Sequence, residues 1–600
     1  MKNYMKDYPR PQFIRSEWTN LNGLWDFAFD DRNLGEKNHW EVNFPEHVQI
    51  RVPFSYETKM SGIDNEEIHP VVWYQRKIDV DPSRLKTDDL ILHFEGSDYF
   101  TKVMVNGKLA GVHTGGYTRF SLNISDLVTN GENILTIRVE DQPDPQQSRG
   151  KQRWVGNNFG CWYIQTTGIW KTVWMEYVSK ESISNLKMTP NLQSSQLELE
   201  VDVNSSTPES DLVLKAEIYY DEKLVSLIEL PVLSEKIATN MNVYSTSVDE
   251  WGIKKWSPLH PELYDITVSL YQDGKLCDKV ESYFGMREIR IDHSNVLLNG
   301  EPIYQRLILD QAYWNDSHLT APTEEALIED IDKIAALGYN GLRLHQKVED
   351  ERFLYWCDVK GMLVWCESPS AYIFSDSAIQ QFTEQWMEIV KQNYNHPSII
   401  TWTPFNESWG IFQIKTDRAQ QHFTEAIYYL TKSIDKNRPV IVNDGWEHTV
   451  SDIITLHDYE EDGKRFYDRY ADFISKILTA EIYHSGSKSA LADGYSYRGQ
   501  PIIISEYGGI AFDNGDSGWG YGNKVGDEEE FIKRFDDITT AIKQLPFICG
   551  YCYTQVTDVQ QEINGIMNIF REYKVNPERI KEINEKTVGL WKQQSKEHLI

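Results

Sequence analysis

Near residue 285 the chain changes texture, and that change limits the folds open to it. Before it, apolar residues recur at every second position. Trp25, Phe27 and Phe29 alternate with Asp26 and Ala28, and Leu135, Ile137 and Val139 follow the turn Asn130-Gly131. A period of two belongs to half-buried strands. Asn106-Gly107, set between two β runs, predicts a tight hairpin. Short strands with regular turns predict a β-sandwich over 1–180. Within it, 141–158 is a long polar loop, and loops of that length are often functional. A second module covers 181–284. There Leu197, Leu199, Val201 and Val203 alternate with acidic residues, Leu212, Leu214, Ala216 and Ile218 keep the period, and Ile266, Val268 and Leu270 lead into the turn Asp273-Gly274. About 100 such residues fit an immunoglobulin-like β-sandwich.

From 285 to 600 strands alternate with helices. Pro322 and Gly338 bracket a helix with Leu327, Ile331 and Ile334 on one face. Helices are also predicted over 349–359, 376–393 and 414–434, and a last one from Pro577 to about Lys592. Strands are predicted near 303–309, 339–344, 361–366, 398–405, 439–443, 453–458, 501–506 and 547–553. Roughly 300 residues of repeated β-α units fit a C-terminal (β/α)8 or TIM barrel. Three domains also suit the length, since 600 residues exceed what one core supports.

Charge excludes one class of partner. A net charge of −31, with no basic run to offset it, repels a phosphate backbone, so nucleic acid is not expected. The segment from Met1 to Arg10 carries no apolar leader, and no run approaches 18 apolar residues. A cytoplasmic protein without a membrane partner is expected, with a removed leader as the alternative. Six cysteines do not make a disulfide framework, and Cys549 and Cys552 read as buried strand residues rather than a redox or zinc pair. Of the 19 Trp and 33 Tyr, sandwich cores account for most; sugar C–H faces are the other surface that aromatic rings stack on.

Two carboxylates stand where β-branched strands end. Glu407 lies in Thr403-Pro404-Phe405-Asn406-Glu407, after Ile399-Ile400-Thr401-Trp402, and Glu506 closes Ile502-Ile503-Ile504-Ser505-Glu506. Catalytic groups of TIM barrels sit at strand C-termini. Retaining glycoside hydrolysis needs two carboxyl groups on facing walls about 5 Å apart, one protonating the leaving oxygen and the other attacking the anomeric carbon. Glu407 would then need a raised pKa and Glu506 would need donors around it. No cofactor and no metal are required.

With these residues in view, the chain resembles glycoside hydrolase family 2, the family of β-galactosidases, β-glucuronidases and β-mannosidases, over nearly its whole length. The resemblance rests on Leu21-Asn22-Gly23-Leu24-Trp25, Gly168-Ile169-Trp170, Trp256-Ser257-Pro258-Leu259-His260-Pro261 and Phe284-Gly285-Met286-Arg287. It implies that 1–180 is a jelly-roll sugar-binding-like domain, that Glu407 is the acid/base after strand four, and that Glu506 is the nucleophile after strand seven. Asn406 matches the residue that holds the sugar 2-hydroxyl. Arg343 and His345 fall where relatives carry an Arg that bonds the nucleophile and a His; a buried core histidine is the alternative for the latter. Tyr459 matches a tyrosine that contacts the nucleophile, with loop packing as the alternative. Asp310, after strand one, is placed either to grip a hydroxyl or to cap a loop. Trp409 and Trp446 are candidate stacking platforms, and for Trp446 core packing is the other reading.

Departures from the family bear on substrate. No lysine follows Asn564 or Asn568 at the Asn-x-Lys spacing by which glucuronidases pair a substrate carboxylate. Glu367-Ser368-Pro369 lacks the histidine of the galactosidase magnesium motif. A tryptophan floor near strand eight is replaced by Tyr551-Cys552-Tyr553-Thr554-Gln555, leaving Gln555 and Asp558 to bind hydroxyls. The expectation is a retaining exo-glycosidase of a neutral oligosaccharide or glycoside, β-galactosidase first, arabinosidase or galactofuranosidase next, β-glucuronidase disfavoured. A non-catalytic carbohydrate-binding protein is the competing class. Family relatives are often homo-oligomers, with N-terminal loops reaching the barrel mouth.

Overall fold

The computed structural model describes residues 4–205, 211–248, 252–479, 481–513, 515 and 517–588. The N-terminal sandwich faces a six-stranded sheet with a four-stranded one. Trp25, Phe27, Leu135, Ile137 and Val139, the period-two residues, form its core. Asn106 (φ 51°) and Gly107 (φ 75°) join the strands Phe100–Val105 and Lys108–Thr114. Two positive φ values are what a type I′ hairpin turn demands. The second sandwich packs a three-stranded sheet on a four-stranded one, with Leu197, Leu199, Val201, Leu214, Ile218 and Val268 buried between them.

The C-terminal domain is a ring of parallel strands: β1 Gln305–Asp310, β2 Gly341–Leu344, β3 Leu363–Glu367, β4 Ile399–Thr403, β5 Asn443–Asp444, β6 Ile454–His457, β7 Ile502–Gly508 and β8 Ile548–Thr554. Seven pair in the order β4-β3-β2-β1-β8-β7-β6. The short β5 completes the circuit. Phe405–Asn406, continuing β4, pairs with it in parallel, and His457 N donates to Gly445 O at 3.3 Å on its other side. Leu307, Leu309, Trp365, Ile400, Ile503 and Cys552 fill the interior, joined by Trp256 from the second sandwich. Both cysteines of the C-x-x-C motif are buried on β8, and all six are free thiols.

Helices α1 Glu324–Ala336, α2 Glu351–Lys360, α3 Asp376–Gln392 and α4 Arg418–Ile434 wrap the ring with α5 Gly463–Leu478, α6 Glu528–Gln544 and α7 Pro577–Glu585. Leu327, Ile331 and Ile334 of α1 are buried as their spacing predicts. Where α4 starts later than the predicted 414, the cause is a cap: the Asp417 side chain accepts from Ala419 N and sets the first turn there. The expected final helix ends at Glu585; residues 589–592 lie outside the described residues. Among the described residues no helix is long and apolar enough to cross a membrane.

The polar loop 141–158 leaves the first sandwich and clamps onto the barrel. Arg149 N and Gly150 N donate to Ser370 O at 3.0 and 3.1 Å, and Tyr372 N donates to Pro145 O at 2.7 Å. Gly150 has φ +60°, and a Cβ there would lie 2.4 Å from Gln346 O. Only glycine allows so close an approach in that backbone region.

Candidate active site

Strand C-termini bring the charged residues together. Arg343 is the penultimate residue of β2, β3 ends in Glu367, β5 in Asp444, β6 in His457, and Glu506 lies on β7; all are buried. Arg343 is the hub. Its Nε donates to Glu367 Oε1. Nη1 meets Asp444 Oδ2 at 2.6 Å and Ser505 O at 2.8 Å. Nη2 donates to Glu506 Oε1 at 3.0 Å and Asn406 Oδ1 at 2.9 Å. A guanidinium offers five donors in a rigid fork, so one side chain orients three carboxylates and an amide. Burial opposes the Arg343 charge, but Asp444, Glu367 and Glu506 outweigh it and hold the pKa well above the ordinary value.

Glu506 gains a second anchor from Tyr459, whose hydroxyl donates to Oε2 at 2.6 Å. Tyr459 itself stacks on Tyr521 with ring centroids 3.4 Å apart. Glu407 comes close to this carboxylate. One atom from each of Glu407, His457 and Glu506 lies within 4.8 Å of the other two. That approach of carboxylate oxygens matches the roughly 5 Å of a retaining pair rather than the roughly 6.5–9.5 Å of an inverting one. The Glu407 backbone is left-handed (φ 52°), as is Ser408 (φ 58°). Such angles cost roughly 1–2 kcal/mol per non-glycine residue, and here they are fixed by Glu407 N to Asp444 O at 2.9 Å and Ser408 N to Asn443 Oδ1 at 2.9 Å.

His457 bridges the carboxylates. Its Nδ1 is 2.8 Å from Glu407 Oε1 and 3.3 Å from Glu506 Oε2, and its Nε2 is 3.0 Å from Asp444 Oδ2. Burial pulls the imidazole down, yet Glu506, Asp444 and Glu407 together push it up to about 10, so both nitrogens carry protons. This corrects the expected raised pKa of Glu407. Burial does push that carboxyl up, but the His457 hydrogen bond and charge, with Lys151 and Arg343, outweigh it and hold it below the usual range. In the unliganded site the exchangeable proton resides on His457, one hydrogen bond from Glu407.

The other candidates separate into groups. Asn406 joins the hub through Oδ1, and its Nδ2 is buried without a protein partner, a free donor next to the acid. His345 packs beside Arg343, with Nδ1 3.0 Å from Glu367 Oε2; burial first, then Lys151 and Arg343, keep it neutral. Trp446 stands edge-on to His457 at 5.5 Å, and Trp409 packs edge-on against Trp162 and Tyr372. Both indole N–H groups are buried and unpartnered. Asp310 has no hydrogen bond to the hub: Oδ1 accepts from Ala312 N at 2.8 Å, while Oδ2 is buried without a partner and burial pushes the carboxyl up to about 6. Gln555 belongs to an amide chain, accepting from Gln311 and donating to Asn564 Oδ1, each at 2.7 Å. Asp558 is not brought to the pair; it is ion-paired with Lys574 at 2.7 Å and accepts from Gly565 N.

Sequence reasoning gave no role to His457, Asp444, Lys151 or Glu562. The first two do carry a signal, since each ends a strand of the ring. Lys151 carries only the length of the polar loop 141–158 that holds it, since it lies in the sandwich, far from the barrel in sequence.

Two β-sandwiches ahead of a parallel barrel, with acidic side chains facing each other at its mouth, define a multidomain barrel of the carbohydrate-active class. Three family models match in turn: the family 2 sugar-binding domain over residues 18–173, glycosyl hydrolases family 2 over 181–287, and the family 2 TIM-barrel domain over 289–537. The chain belongs to glycoside hydrolase family 2. A Formosa agariphila protein provisionally named a beta-glucuronidase is 26% identical over 552 residues, covering 88% of this chain and 61% of its own. A Streptococcus agalactiae beta-glucuronidase is 24% identical over 539 residues, covering 82% of each. Another relative, from Thermoanaerobacter pseudethanolicus, is named a beta-galactosidase, and the chain spans 64% of its length. Among solved structures, an Eisenbergiella tayi beta-galacturonidase bound to glycerol superposes with a TM-score of 0.75 at 20% identity, covering 96% of this chain and 98% of its own. A Bifidobacterium dentium beta-glucuronidase complexed with coumarin-3-O-glucuronide reaches 0.79 at 17% identity, over 96% and 98%. At such identities the likeness is one of fold. The ranking drawn from the sequence, with a neutral β-galactoside first and β-glucuronidase disfavoured, is overturned by relatives and neighbours named mainly for uronides. That ranking leaned on one absent motif in one loop, whereas a binding cation can come from anywhere in the fold.

Proposed function

We propose that this protein hydrolyses β-linked uronides with retention of anomeric configuration. The observation that carries the reading is the approach of Glu407 and Glu506 oxygens within 4.8 Å, with Glu506 tied to Arg343 and Tyr459. Relatives named beta-glucuronidase and neighbours named beta-galacturonidase support the uronide class.

The chemistry follows from the proton inventory. Glu506 is oriented by two donors, leaving its carboxylate to attack the anomeric carbon. The His457 proton passes along its hydrogen bond to Glu407, which delivers it to the departing oxygen. Esterification then removes the Glu506 charge, the largest contribution that holds the imidazolium. Glu407, ionised again, takes a proton from water as that water opens the ester. Asn406 Nδ2 offers a donor for the sugar 2-hydroxyl, where hydrogen bonds strengthen in the transition state.

The test is a panel of 4-nitrophenyl β-glycosides, with glucuronide and galacturonide set against glucoside and galactoside, and NMR of the first-formed sugar. Uronides should be preferred, with the β-anomer appearing first. Preference for the neutral sugars, or an α-anomer as the first product, would sink the reading.

A further inference from the structure

Lys151 is a buried cation without an ion pair among the described residues. The residue is 8% exposed, and among the described residues no carboxylate lies within ion-pair distance of its ammonium. The Cys161 thiol is its hydrogen-bond partner. Burial opposes its charge, but Cys161, Tyr372 and Glu562 outweigh burial and hold the pKa well above the ordinary lysine value, so the ammonium stays charged without a paired carboxylate. The carboxylates of the hub do not serve, because Arg343 and His457 already hold them.

Its place is set firmly. Lys151 O accepts from Tyr163 N at 2.8 Å, and the preceding Gly150 is pressed against Gln346 on the loop after β2. Cys161 precedes Trp162, whose ring packs edge-on against Trp409 at 5.1 Å, two residues after Glu407, so the ammonium comes from the first sandwich to the acid's neighbourhood, and its charge acts on both Glu407 and His345. Glu562 acts on Lys151 from beyond ion-pair distance. That carboxylate accepts from the Tyr163 hydroxyl and from Asn564 Nδ2, and burial, against the pull of Lys151, pushes it toward the protonated form. A second carboxylate entering here would find one unpaired cation and an acid already served by donors.

We propose that Lys151 binds the carboxylate of the sugar acid and is the residue that selects uronides over neutral glycosides. The proposal rests on the uronide reading above. It also explains how the loop after β8 manages without a lysine following Asn564. A uronide completes the ion pair, whereas a neutral sugar must leave the ammonium buried and alone. Sites with a buried group left unpaired by the wrong substrate discriminate strongly. Cancelling the Lys151 charge would also relieve its pull on Glu407, so the acidic sugar helps Glu407 hold the proton it must donate.

The experiment measures kcat/KM for 4-nitrophenyl β-D-glucuronide and β-D-galacturonide and for the matched glucoside and galactoside, in the full chain and in its Lys151→Met and Lys151→Arg variants. Both substrate types are assayed on the same sample, so any loss of folded protein cancels in their ratio. The uronide-to-neutral ratio should fall about 100-fold or more in Lys151→Met, the effect of removing one partner of a buried charge pair, and less than about tenfold in Lys151→Arg. An unchanged ratio in Lys151→Met overturns the assignment and leaves the uronide reading standing. A wild-type ratio below one overturns that reading and this assignment together.

Discussion

His457 Nδ1 lies 2.8 Å from Glu407 Oε1, so the acid/base candidate and the store of its proton are adjacent along one hydrogen bond. His457→Gln removes the store while keeping the ring's neighbours in place. Hydrolysis of alkyl glycosides, whose leaving groups need protonation, should drop about 100-fold, and that of 4-nitrophenyl glycosides much less. Steady-state kinetics on the two leaving groups checks this.

The same imidazole makes stability depend on pH. Its folded pKa of about 10 stands above the ordinary 6.5. The stability it contributes is therefore complete below about pH 6.5 and is lost as pH rises toward 10. Thermal melts of the wild type should fall across that window, and melts of His457→Gln should fall less.

Glu506→Gln should lower turnover by at least about 10⁴-fold with substrate binding retained, since no nucleophile remains. Glu407→Ala should keep partial activity on 4-nitrophenyl substrates and be rescued by azide, giving a β-glycosyl azide. An α-azide, seen by NMR, would contradict a double displacement.

Arg343 holds three buried carboxylates at once. Arg343→Met leaves Glu367 without a cation and Asp444 and Glu506 with His457 alone, and should destabilise the barrel by about 3–5 kcal/mol, because removing one partner strands buried charge in a dry site. Denaturant unfolding measures the loss. Tyr459→Phe, which removes one hydrogen bond to Glu506, should cost activity with a much smaller change in stability.

Asn406 has its Nδ2 free and its Oδ1 fixed by Arg343. Asn406→Ala should reduce kcat/KM about 10- to 100-fold on a sugar with a 2-hydroxyl. A 2-deoxy substrate should show little further loss in the variant, and equal losses on both sugars would assign Asn406 to the scaffold instead.

Much of this molecule was legible as periodicity. Trp25, Phe27 and Leu197 to Val203 declare sandwich strands because a strand buried on one face must alternate, and Leu327, Ile331 and Ile334 declare a helix for the analogous reason. Glu407 and Glu506 stood out because strand ends of a parallel ring share one mouth. What the sequence by itself determined is thus the set of elements, their order, and the position of Glu407 and Glu506 at that mouth, whereas Asp444 reached it unforeseen and Asp558 did not reach the pair. The surroundings that set the protonation of Glu407, and the place of the cation proposed to select the substrate, come from tertiary structure alone. His457 approaches Glu407 from another strand, and Lys151 arrives from another domain through a glycine that lets two loops touch. Charge acts through space while motifs are read along the chain, so a cation 256 positions before the acid whose charge it affects has no motif to join the two (Lys151 to Glu407).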